Sequence, residues 1–159
     1  MARKAANVRS RAPIVLMLLL AAALLPAQTV QEKAPSRRAF DETAASRMLQ
    51  QLSEALQGHS QNQFLSLFDL DKMKNGPIFK QQVAVFFSQT ESIRVHLNLV
   101  EVAVDGDKAT AAVDAEMDLE PRYGGPAARR NERLNFVAVS AGGNWKFVDL
   151  QPRGFFSLP

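Results

Sequence analysis

The sequence predicts an α+β domain in which N-terminal helices pack on a curved, bulged antiparallel β-meander. Apolar residues recur at three- and four-residue steps as far as residue 91, and beyond it the step changes to two and stays there. The second half is punctuated by Asp105-Gly106 and Gly142-Gly143, dipeptides that favour tight hairpin turns.

Ahead of this domain, Arg3, Lys4, Arg9 and Arg11 precede twelve uninterrupted apolar residues, 14–25, and then Pro26-Ala27. That is the charged, apolar and small-residue order of a secretory signal peptide, residues 1–27, with cleavage expected after Ala27. A membrane span needs about 20 apolar residues, so membrane contact is expected only through an uncleaved signal segment. The expected location is periplasmic or secreted. All 16 acids follow residue 27, whereas four of the 19 Lys and Arg residues precede it; the 15 that remain leave the mature chain near −1. A nucleic-acid binder concentrates positive charge on its binding face, so nucleic acid is not an expected partner. With no cysteine, the exported domain must be held by packing alone.

Residues 28–39 are polar, with Pro35 and Ser36, and read as a flexible lead-in to a single domain over 40–159. In the first helix Ala45, Met48, Leu49, Leu52 and Leu56 form one face, Asp41 can cap the start and Gly58 is placed to end it. In the second, Ser60 and Gln63 form a capping box ahead of Phe64, Leu67 and Phe68. The third has Pro77 at its first position and Phe79, Val83, Phe86 and Phe87 on one face.

The strand over 109–120 alternates throughout, Ala109, Ala111, Val113 and Ala115 against Thr110, Ala112, Asp114 and Glu116. The strand before it is apolar on odd numbers through Leu99 and on even numbers from Val100. A turn pairing Val104 with Asp107 would throw the apolar set onto the wrong face beyond this slip. One inserted residue near Leu99 and Val100, a β-bulge, repairs the phase, pairing Leu97 with Val113 and Val95 with Ala115, and bends the sheet. Two more strands, 134–140 and 144–151, flank Gly142-Gly143, and 121–128 form a longer loop. Phe155 and Phe156 in the tail are expected to dock.

Helices followed by a long bent meander that ends in Gly142-Gly143-Asn144-Trp145-Lys146-Phe147-Val148 resemble the nuclear transport factor two-like (SnoaL-like) superfamily of cone-shaped, cystatin-like domains. That resemblance covers about residues 40–156 and implies a pocket between helices and sheet. The superfamily holds steroid isomerases, polyketide cyclases, dehydratases and epoxide hydrolases beside many non-catalytic binding domains, so it leaves use open. Phe64, Phe68 and Phe86 of the helices, with Phe136, Trp145, Phe147 and Asp149 of the last strands, are the expected pocket residues. The steroid isomerases use a tyrosine and two acids. The one tyrosine here, Tyr123, falls in a loop, and no catalytic residue carries over.

Metal sites need clustered ligands, and the chain has only His59 and His96, on different elements. Asp69 and Asp71 begin like a calcium loop, but Met73 and Lys74 break it. No cofactor is expected. His96 is expected opposite Asp114, and Arg94 opposite Glu116, which makes either a general-base pair or a solvated charge ladder. Alternation places Asp149 with Trp145 and Phe147, opposite Phe136, where a carboxylate is either a proton-handling group or a structural partner of Arg133 or Arg153. Arg129, Arg130 and Arg133 either hold an anion at the pocket mouth or form a solvated face.

The leading reading is an exported, non-catalytic domain that binds a small apolar or amphipathic ligand, or a protein partner, in a cone-shaped pocket. The alternative is a lyase, isomerase or hydrolase using Asp149 with His96 and Tyr123. A homodimer through the outer sheet face is a third.

Overall fold

The computed structural model describes residues 40–157. The expected signal peptide (1–27) and lead-in (28–39) lie outside the described residues. Three helices come first, α1 (Glu42–Gln57), α2 (Gln61–Ser66) and α3 (Gly76–Gln89). The strands β1 (Thr90–Asp105), β2 (Lys108–Pro121), β3 (Ala128–Ala141) and β4 (Asn144–Gln151) follow as an antiparallel meander, and a 3-10 turn, Arg153–Phe156, ends it. No described helix is long and apolar enough to cross a membrane.

Helix α1 forms where its apolar stripe meets a cap. The Asp41 carboxylate accepts from the Ala44 N–H at 2.7 Å, and Ala45, Met48, Leu49, Leu52 and Leu56 are buried. It ends as expected at Gly58, which caps the last turn with an ordinary φ, and the chain then turns left-handed at His59, at φ 55°. The expected capping box of α2 does not form: the Ser60 hydroxyl makes no cap bond. Helix α3 starts one residue early, so Pro77 is its second residue, after a left-handed Asn75.

The bulge in β1 is where the phase slip requires it, with Val100 inserted between Leu99↔Val113 and Glu101↔Ala112. The turn register differs from expectation. Asp105 pairs with Lys108, so the turn is Gly106-Asp107, and Gly106 takes its positive φ of 62° at the first central position. Every partner therefore moves by two residues, giving Leu97↔Ala115 and Val95↔Met117. A two-residue shift leaves side chains on the same face, which is why the inward set is unchanged. Strand β3 begins at Ala128 rather than 134, since its first half is polar and shows no apolar alternation.

The inward faces of sheet and helices meet in a core of phenylalanines. Phe64, Phe68, Phe86, Phe136 and Phe147 are each at most 4% exposed. Phe155 and Phe156 dock as expected, and the Phe156 ring lies 5.2 Å from that of Phe64.

Candidate functional site

The expected pocket residues are mostly core. Phe136 packs on Phe147 at 4.8 Å and Phe147 on Phe68 at 5.5 Å, while Phe156 stands 6.3 Å from Phe86. The docked tail thus fills the space between helices and sheet. Gln82 holds it by donating to the carbonyls of Arg153 and Phe156, and Arg130 by donating to that of Phe155. Trp145 alone of the seven is a partly buried aromatic, its ring tilted against that of Phe40 at 4.9 Å.

Asp149 does not share the face of Phe147. A bulge in β4 leaves Val148 without a strand partner, so Asp149 lies opposite Val137 and Leu150 opposite Phe136. Leu150, fully buried, takes the inward place that plain alternation assigns to Asp149. The carboxylate accepts from Arg153 at 2.6 and 3.1 Å, from the Leu150 N–H at 2.9 Å and from Gln151 at 3.4 Å. Burial raises its pKa, but these hydrogen bonds and the guanidinium charge outweigh it, and the net pKa is below the ordinary value. A carboxylate held ionised in this way is a poor proton donor at neutral pH.

His96 lies opposite Glu116 rather than Asp114, and Arg94 opposite Asp118 rather than Glu116, because of the two-residue register shift. Around them runs a ladder of exposed ion pairs on the outer face. Arg129 reaches Glu116 at 3.3 Å and Asp118 at 3.6 Å, and Arg133 grips Asp114 at 2.8 and 3.1 Å. The Arg133 hydrogen bond is the main cause lowering the Asp114 pKa. The three arginines do not converge on one anion site: Arg129 and Arg133 serve the outer ladder, while Arg130 turns inward to the tail.

The open concavities lie elsewhere. A cleft of about 660 Å³ runs between α1 and the outer edge of β1, with His96 on its wall. Ser46, Gln50, Ser53 and Gln57 of α1 form one side, and Leu49, Leu97, Leu99 and Val102 supply its apolar surface. A smaller hollow of about 410 Å³ sits beside the 121–128 loop, where Tyr123, 79% exposed, forms part of the rim. His96 and Tyr123 thus border different concavities, and Asp149 borders neither. Among the described residues no cluster of three or more His, Asp or Glu side chains is placed to hold a metal.

Sequence reasoning missed the cleft, although a signal was present. Ser46, Gln50, Ser53 and Gln57 repeat at helical spacing beside the core stripe of α1 and carry no charge, unlike an ordinary solvated face.

No family model matches the chain, and no curated protein matches it by sequence. Solved structures do. A conserved protein from Planctomyces limnophilus superposes at TM-score 0.61 and 16% identity, over 69% of this chain and 92% of that one. A nuclear transport factor 2-like superfamily protein from Salmonella enterica serovar Typhimurium gives 0.58 at 12% identity, over 68% and 86%. A hexachlorocyclohexane dehydrochlorinase gives 0.54 at 12% identity, over 68% and 80%. At such identities the shared property is the backbone, and a fold hosts many functions. The chain has the nuclear transport factor 2-like fold, a cone of helices and antiparallel sheet.

Proposed function

We propose that this chain is an exported, non-catalytic binding domain that takes a small amphipathic ligand or a segment of a partner protein in the cleft between α1 and β1. One observation carries the reading: the interior is filled by its own phenylalanines and tail, while a cleft of about 660 Å³ stays open beside the edge of β1 that no described strand pairs. Its volume lies within the range of about 300–1,000 Å³ usual for ligand sites. The enzyme alternative has less support, because its carboxylate, Asp149, is tied to Arg153 away from both concavities. Export rests on the basic and apolar order of residues 1–27.

The test is native mass spectrometry of the protein recovered from its own host, beside Ser53→Trp, which fills the cleft. The wild type is expected to carry a bound mass that the variant loses while keeping its circular dichroism. A bound mass retained by Ser53→Trp would remove the cleft from the function. The same spectra read export, since a mature chain beginning at Gln28 is expected and an intact N-terminus would overturn it.

A further inference from the structure

Resting on that reading of the cleft, we infer that its occupant is an extended polypeptide segment of a partner protein, one that adds to the sheet as a strand along β1 and brings a basic side chain to Glu42 and Glu101. The first ground is the state of the strand edge. β1 runs 16 residues and, among the described residues, pairs only with β2. Among the described residues, no backbone hydrogen bond outside the sheet ladder involves residues 93–104. One side chain reaches over, with the Gln57 amide donating to the Val95 carbonyl at 3.4 Å. Backbone N–H and C=O groups along an unpaired edge are a template for a further strand.

The second ground is shape. Val95 and Val102 both line the cleft, and the stretch between them spans about 23 Å at the usual rise of a strand. Leu97 and Leu99 face the helices yet remain partly exposed, because α1 does not close over them. A strand laid beside them would turn alternate side chains onto this apolar floor and the others outward.

The third ground is charge. Glu42 and Glu101 line the cleft, no Lys or Arg does, and among the described residues neither acid has an ion-pair partner. The acids of β2 differ, since Asp114, Glu116, Asp118 and Glu120 all have arginine partners. A segment alternating apolar and basic residues satisfies edge, floor and charge together.

The test uses the mature chain, isotopically labelled, and three end-blocked octapeptides: one alternating valine and lysine, one alternating valine and glutamate, and the lysine peptide with alternate amides N-methylated. The lysine peptide is expected to shift the amide resonances of residues 95–102 and to slow their hydrogen exchange. The glutamate and N-methylated peptides are expected to bind at least about tenfold more weakly, and Glu42→Gln with Glu101→Gln to weaken the lysine peptide about fivefold or more, as loss of a favourable charge pair implies. Equal binding of the lysine and glutamate peptides, unchanged exchange along β1, or shifts confined to the outer ladder would each overturn the inference. If the peptides fail while Ser53→Trp still loses a naturally bound mass, the cleft stands and only the peptide occupant falls. If Ser53→Trp retains that mass, the cleft itself falls.

Discussion

Along β4 the free edge of the sheet is met by residues 67–69: the Asp69 N–H donates to the Phe147 carbonyl at 2.8 Å, and the Phe147 N–H to that of Leu67 at 2.9 Å. Lys146 adds a bond to the Ser66 carbonyl at 2.8 Å. Along β1, at the other margin, the edge faces a cleft. Among the described residues, one sheet therefore has a margin sealed by its own chain and a margin left available, and an unsealed margin in a stable domain is a place to look for a partner.

The same truncation on the two edge strands separates them most sharply. Phe147, 1% exposed and packed on Phe68 and Phe136, should cost about 3–5 kcal/mol as Phe147→Ala. Leu97→Ala, at a half-buried position in the cleft wall, should cost about 1 kcal/mol. Urea midpoints at unchanged slope measure both. Equal losses would mean that the cleft is closed in solution.

Glycines sharpen the contrast. A Cβ on Gly76, at the start of α3 just beyond the sealing segment, would press into the Leu70 backbone carbonyl, so Gly76→Ala should cost about 1–3 kcal/mol and loosen the β4 side. In the turn that closes the β1 hairpin, a Cβ on Gly106 meets nothing within 4 Å, and only the positive φ of 62° opposes it. Gly106→Ala should cost about 1 kcal/mol. Hydrogen exchange locates each loss: Gly76→Ala should release the Asp69 and Phe147 amides, and Gly106→Ala should leave them protected.

What could be read beforehand follows from the same comparison. The bulge at Val100 was legible because a change of apolar phase within one strand has no other repair, and the inward set followed from period two. The bulge at Val148 was not, because β4 has too few inward positions to show a slip and plain alternation gave Asp149 an apolar neighbourhood. The docked tail was legible from Phe155 and Phe156, but its filling of the interior was not, since that depends on where Gln82 and Arg130 hold it. The sealed and open margins were invisible because a bridge such as Phe68↔Phe147 joins residues 79 positions apart without any local signal.

The smallest effect concerns ion pairs on the two margins. Asp149 and Arg153 stand at the foot of the sealed strand, with side chains 35% and 23% exposed, and Arg153 also donates to the Lys74 carbonyl at 2.6 Å, tying tail to loop. Arg94 and Glu120, on the β1 side, are 3.5 Å apart at 67% and 51% exposure. Solvent screens the second pair almost fully and the first only in part, so Asp149→Asn should cost about 1 kcal/mol at neutral pH and Glu120→Gln nearly nothing. Because the folded-state pKa of Asp149 is lowered, its contribution is present above the ordinary carboxylate range and is lost as pH falls through the folded value. Urea midpoints measured down the acid limb should therefore converge for wild type and Asp149→Asn. A gap that persists at low pH would show that Asn fails by shape rather than by charge, and that the sealed margin depends on packing at this point as it does at Phe147.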